Sequence, residues 1–217
     1  MNIGIIGGTG PAGRGLALRA AAAGHQVTIG SRDAARAADV AAGLVAETTT
    51  ISGAIAGATN EDAAAGRDLV VVATPWDGAV ATVKPLAATL EGKVVVSMVN
   101  ALMKEGREML PLYPPRGSMA AQIQSALPGS KLAAAFHHLP AREMENLDSG
   151  LTADVLVCGD SDQARAATIE LTNSIDGLRG IDAGSLAQAS PIEAFMAVCI
   201  SLNIRHRAHS TVRIAGL

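Results

Sequence analysis

The chain is 217 residues long, 49% hydrophobic and 17% charged, with a formal net charge of −3. That composition packs a core and excludes a disordered chain, and the length allows one large domain or a domain with a small companion. The slightly acidic balance lacks the clustered cations that nucleic acid requires, so no nucleic-acid partner is expected.

The opening residues, MNIGIIGG, enter an apolar run without a charged leader, and no apolar stretch approaches ~18 residues. Neither a secretory signal nor a membrane association is therefore expected, and the protein is read as cytoplasmic. Apolar runs at 3–6, 27–29, 69–73 and 94–96 are short, partly β-branched and bounded by polar or turn residues, which predicts buried parallel strands. Between them, 12–23, 34–45 and 78–90 are rich in Ala and Leu at helical length, the first and last closed by Gly24 and Gly92. Such alternation specifies an α/β fold, a doubly wound and mainly parallel sheet with helices on both faces, because right-handed crossovers put them there. Residues 101–117 break the pattern with KEGREMLPLYPPRG and are expected as an irregular surface excursion beyond the carboxyl edge of the sheet. A helix at 118–127, strands at 131–136 and 153–160, a helix at 163–174, the short run RGIDAG and a long helix from 191 to about 207 complete the chain.

Directly after the first strand comes GGTGPAGRG, in which Gly8, Gly10 and Gly13 match G-x-G-x-x-G in a strand–turn–helix setting. Gly8 is expected to allow the tight turn, Gly10 to let the backbone approach a pyrophosphate, and Gly13 to let the helix pack closely on the strand. Pro11 suits the first helical position, and the helix amino end favours negative charge. This is the signature of a Rossmann-type dinucleotide site. At the end of the second strand an NAD site normally offers an acidic residue to the ribose, whereas here the strand ends in GSRDAAR. Ser31 can hydrogen-bond a 2′-phosphate, Arg32 can grip it as a planar fork, and Arg36 follows one turn later, so NADP is the expected cofactor. Asp33 is expected to be occupied as a helix N-cap. The alternative for the two arginines is a pair of solvated charges on a helix face.

After the strand at 69–73 comes TPWDGAV, which places Thr74, Pro75 and Trp76 at the carboxyl edge of the sheet. Trp76 fits a cleft wall and a core plug equally well. No G-x-S-x-G elbow, catalytic-cysteine context or spaced carboxylate pair occurs, so no catalytic residue is assigned. Cys158 and Cys199 read as small buried hydrophobes, and no metal site is expected from the adjacent His137 and His138, which on a strand would point to opposite faces. Of these two, one is expected to line the cleft and the other to be packed or exposed. The tail IRHRAHSTVRI gathers cations that suit either an anionic ligand or an ordinary helix carboxyl end.

Taken together, GGTGPAGRGLALR, GHQVTIGSR, ISGAIAG with NEDAA, ATPWDGAV, KVVVS, HHLPA, VCGD, IDGLRGIDAG and LNIR resemble the NADPH-dependent reductases of coenzyme F420, an 8-hydroxy-5-deazaflavin. The likeness runs nearly end to end. It implies a Rossmann domain (1–143) with a smaller C-terminal α/β part (144–217) ending in a long helix, a deazaflavin pocket and a homodimer. It also places NADP on Thr9, Gly10, Pro11, Ala12, Ser31, Arg32, Arg36, Trp76, Val80 and Ala141, and puts Val212 beside the deazaflavin ring. Thr74, Pro75, Asn100 and His138 complete the cofactor-binding set, with the deazaflavin expected between the 98–102 segment, the HHLPA turn and the tail. A hydride passing directly between two rings held at about 3–3.5 Å needs no protein acid or nucleophile, which accounts for the absence of a catalytic motif. Two other readings remain: a small NADPH-dependent imine reductase resembling pyrroline-5-carboxylate reductase, and a non-enzymatic NADP sensor.

Overall fold

A computed structural model describes residues 1–48 and 51–217. Its centre is an eight-stranded sheet built from β1 (Asn2–Ile6), β2 (Gln26–Ser31), β3 (Ala54–Thr59), β4 (Leu69–Val72), β5 (Val94–Ser97), β8 (Lys131–Ala134), β9 (Ala153–Cys158) and β10 (Leu178–Gly184). The spatial order is β10-β9-β8-β5-β4-β1-β2-β3, and neighbours are parallel except at β8–β9, whose single pairing of Ala134 with Cys158 is antiparallel. Residues beyond 143 thus extend the same sheet with β9 and β10.

Alternation along the strands feeds two apolar layers. On one face Ile3, Ile5, Val27, Ile29, Val71 and Val96 pack with α1 (Pro11–Ala22), α6 (Ala141–Glu145) and α7 (Asp162–Ser174). On the other, Val70, Val72 and Val95 meet α4 (Ala79–Val83), α5 (Met119–Ala126) and α8 (Ala189–His206). Two buried charges fasten these helices. Arg19 of α1 donates to the carbonyls of Glu143, Met144 and Asn146, satisfying groups at the end of α6. Glu193 of α8 accepts from the Met119 and Ala120 N–H groups at the start of α5, and its burial pushes the carboxyl up to about 7 despite those bonds.

Several expectations need correction. The helix expected over 78–90 is broken into α4 and flanking 3-10 turns at Trp76–Gly78 and Lys84–Leu86, because Pro85 cannot continue an α-helix. A strand absent from the sequence reading, β3, pairs with β2 at the sheet edge, and α3 (Asn60–Ala64) follows it. The excursion at 101–117 contains a hairpin of β6 (Leu102–Glu105) and β7 (Glu108–Pro111) turned at Gly106, whose φ is +57°. The strand expected over 131–136 stops at Ala134, and Phe136 then takes a left-handed φ of +65°. Leu186–His206 is, by length and composition alone, apolar enough to cross a membrane, and 33% of its apolar 18-residue window is buried.

Candidate functional site

The carboxyl ends of β1, β2 and β4 open on a cleft of about 650 Å³ lined by Thr9, Gly10, Pro11, Ala12, Ser31, Arg32, Arg36, Thr74 and Pro75. The local folding explains the convergence. β1 runs into a turn whose left-handed residue is Gly7, at φ +71°, and not Gly8, the expected position. A side chain on Gly7 would also strike Thr74 at 2.6 Å. Gly8 is confined for a different reason: a Cβ there would lie 2.9 Å from the Ile5 carbonyl oxygen and 3.0 Å from Ile29. Gly13 holds α1 against this turn, since its Cβ would sit 2.7 Å from the Gly8 Cα. At Gly10 a Cβ would meet nothing within 4 Å, so the space above that residue is open. Gly10 is also the N-cap of α1 and supplies no side-chain cap, which leaves the first amides of the helix free to face a ligand.

Across the cleft, Asp33 caps α2 (Ala34–Ala46) by accepting from Ala35 N and Arg36 N, so its carboxylate is engaged with backbone. Ser31 accepts from Asp33 N at 3.2 Å and keeps its hydroxyl proton free to donate. Arg32 and Arg36 are exposed, and neither forms an ion pair among the described residues. Two unpaired guanidiniums and a hydroxyl donor at one end, with free helix amides at the other, make a cleft for a ligand anionic at two separated points. Asn60, which the sequence reading did not select, orders the floor by accepting from Gly7 N at 3.0 Å. Asp77, Gly78 and Thr82 also line the cleft and went unselected, since a wall made by a broken helix has no sequence signature.

The remaining candidates fall elsewhere. Trp76 and Val80 line a neighbouring apolar cavity of about 370 Å³, with Ala101, Tyr113 and Pro114. Trp76 is 39% exposed and is therefore no core plug. His138 and Ala141 border a third cavity of about 330 Å³ between the HHLPA turn, α8 and the tail, with His137, Arg142, Asn203 and Ser210. Both histidines are buried and both border this cavity, where only one was expected, because the turn at Phe136 ends strand alternation before them. His138 donates from Nε2 to the Asp154 carbonyl at 2.5 Å, and Asn100 donates to the His137 carbonyl at 3.0 Å. Thr74 Oγ1, Asn100 Oδ1 and both ring nitrogens of His137 are buried without a partner among the described residues. Unsatisfied groups gathered at one sheet edge suit a polar ligand that completes them. Two tail side chains are already engaged, Arg205 with Glu108 and His209 Nδ1 with Glu143. No cluster of three metal-ligating side chains occurs among the described residues.

Burial first, and the neighbouring His138 second, hold the His137 imidazole down at about 3. The unfolded chain therefore takes up this proton from pH 6.5 downward while the folded protein refuses it until about 3, so stability falls as pH drops through that window. Replacing His137 with Gln is expected to flatten the wild-type loss between pH 6.5 and 5 by up to about 2 kcal/mol, read from urea midpoints. Parallel pH curves for the two proteins would place the acid sensitivity at another group.

Comparison with known proteins follows this geometry. Residues 2–101 match the family model for coenzyme F420-dependent NADP oxidoreductases. An F420-dependent NADP reductase of Methanocaldococcus jannaschii is 38% identical over 100% of this chain and 99% of its own. One from Methanothermobacter thermautotrophicus is 34% identical over 100% of this chain and 96% of its own. A solved Arthrobacter sp. FB24 structure, provisionally described as an F420-dependent NADP-reductase, superposes with a TM-score of 0.83 at 29% identity over 99% of both chains. An imine reductase from Bacillus cereus shares the fold alone, with a TM-score of 0.65 at 19% identity over 95% of this chain and 63% of that one.

Proposed function

This chain belongs to the family of coenzyme F420-dependent NADP oxidoreductases, and from that membership we infer that it moves a hydride between NADP(H) and the deazaflavin coenzyme F420. The observation that carries the inference is that the likeness to F420-dependent NADP reductases spans 100% of this chain, at 38% and 34% identity, and is not confined to the nucleotide half. The imine-reductase alternative rests on likeness of fold, and the sensor alternative on the nucleotide cleft.

On this reading, residues 1–143 hold the nucleotide and 144–217 complete the second site. The α1 amides beside Gly10 to Gly13 face the pyrophosphate, and Ser31, Arg32 and Arg36 hold the 2′-phosphate. Thr74, Pro75 and Asn100 receive the nicotinamide end, where the partnerless Thr74 Oγ1 and Asn100 Oδ1 fit a ribose or carboxamide group. Trp76 and Val80 flank that end from the adjoining apolar cavity, Ala141 completes the NADP set, and His138 and Val212 border the deazaflavin. Bound NADPH and the deazaflavin supply hydride donor and acceptor, so the chain's own work is to orient two rings and exclude water. Neutral His137 is consistent with that: a ring nitrogen held at about 3 is no acid at neutral pH, yet its N–H can hydrogen-bond a ligand. No catalytic residue is assigned. A cytoplasmic homodimer belongs to the same reading, the exposed apolar stripe Phe195, Val198 and Leu202 on α8 being covered by a second copy.

Mixing the protein with oxidised F420 and NADPH should bleach the deazaflavin absorbance far faster than mixing with NADH. Intact NADP binding without bleaching would overturn the deazaflavin assignment and favour an imine reductase or a sensor.

A further inference from the structure

Residues 208–217 form neither helix nor strand. The chain leaves α8 at Arg207, whose φ of +54° turns it back, and Ser210 N then donates to Asn203 Oδ1 at 2.8 Å. Beyond Ser210, every hydrogen bond of the tail among the described residues runs to Asp154 or Arg179. Asp154 N donates to the Val212 carbonyl at 2.8 Å, and Ile214 N donates to Asp154 Oδ2 at 2.5 Å. Arg179 donates to the carbonyls of Ile214 at 3.1 Å and Leu217 at 2.7 Å.

Asp154 is fully buried on β9, where its carboxylate accepts two bonds from Arg179 of β10, at 2.8 and 2.7 Å. Its carbonyl accepts from His138, which borders the cavity beneath the tail. One residue therefore grips the HHLPA turn with its carbonyl and the tail with its N–H and carboxylate. The sheet does not require it: β9 and β10 pair in register from Ala153 through Val157, and Asp is disfavoured in a strand interior. A buried ion pair is also no more stabilising than apolar residues of similar size, and its better-attested use is to fix register. We propose that Asp154 and Arg179 are positioning residues for the deazaflavin, clamping the Val212 stretch of the tail against the HHLPA turn to set the wall on which the second coenzyme rests. This rests on the deazaflavin reading above. The hydrogen bonds from Arg179, with a further one from Ile214, hold the Asp154 carboxyl down at about 2, so the clamp stays charged across the working range of pH.

Three full-length variants test it: Asp154→Asn, Arg179→Met, and Ile214→Pro, which removes the tail's donor to Asp154 while leaving the Asp154–Arg179 pair in place. Each should raise KM for F420 by about tenfold or more while KM for NADPH stays within about twofold. Combining Asp154→Asn with Ile214→Pro should be no worse than the worse single change, because both release the same segment. KM values for both coenzymes rising together, or Ile214→Pro leaving KM for F420 unchanged, would overturn the proposal. Should Asp154→Asn fail to fold, Ile214→Pro carries the test, since it leaves the Asp154–Arg179 pair whole. If the wild-type protein does not turn over F420, the functional reading fails and the clamp is judged by hydrogen exchange. Amides of 208–217 should then exchange about tenfold faster in Arg179→Met, and unchanged exchange would refute the clamp.

Discussion

Replacing Arg32 with Ala is expected to raise KM for NADPH by about 30- to 100-fold and leave KM for NADH within about threefold, collapsing the preference between the two. The 2′-phosphate is the only group that separates the coenzymes, so a residue acting on it must show its effect in the ratio. A guanidinium fork donating to a phosphate contributes about 1.5–3 kcal/mol per charge-assisted bond, more than a neutral contact would. Arg32 has no carboxylate partner among the described residues, so the substitution breaks no ion pair and leaves the fold alone. Asp33 still caps α2 through Ala35 N and Arg36 N, and Arg36 remains to supply residual grip. Because the site is exposed, added salt should weaken NADPH binding by the wild type more than by the variant. Equal losses for NADPH and NADH would move Arg32 away from the phosphate and return it to an ordinary solvated helix face.

The parts of this architecture legible in the sequence are those written in local pattern. Strand, glycine turn and helix lie within the first 22 residues, and GSRD straddles the end of the second strand, so spacing alone brings Ser31, Arg32 and Arg36 toward the glycine turn. What escaped depends on partners distant in sequence. β3 is made of AIAGAT, residues of weak strand preference that become a strand because β2 offers them a free edge. The Gly57 position there is fixed by close approach, since a Cβ would fall 2.1 Å from the Ala37 carbonyl carbon. Gly7 was overlooked in favour of Gly8 because the fingerprint records spacing, whereas the positive φ is a property of the turn itself. The Asp154 clamp joins residues 25 and 60 apart and looks, in sequence, like a stray charge in a hydrophobic strand. His137 was read through strand alternation, which no longer applies once Phe136 has turned the chain.

The two later glycines of the fingerprint should fail in opposite ways. Gly10→Val is expected to keep its melting temperature within about 3 °C of wild type while losing more than about 100-fold in NADPH affinity. Gly13→Val should instead lower the melting temperature by about 6–12 °C. At Gly10 the backbone is extended, with φ −79° and ψ 165°, a conformation that suits Val, and an added Cβ meets no atom of the protein within 4 Å. Nothing in the fold therefore demands glycine there; the demand comes from a ligand that must approach the backbone closely. At Gly13 the added Cβ would lie 2.7 Å from the Gly8 Cα and 2.8 Å from its carbonyl oxygen, so α1 must lift away from the turn. Overpacking against backbone, which cannot rotate aside, costs about 3 kcal/mol, or 6–12 °C in a chain of this size. Any affinity lost by Gly13→Val then follows from a displaced helix, whereas that lost by Gly10→Val occurs in an intact protein. Thermal melts paired with NADPH titrations separate the cases, and a Gly10→Val protein binding NADPH normally would mean that the pyrophosphate does not rest on this turn.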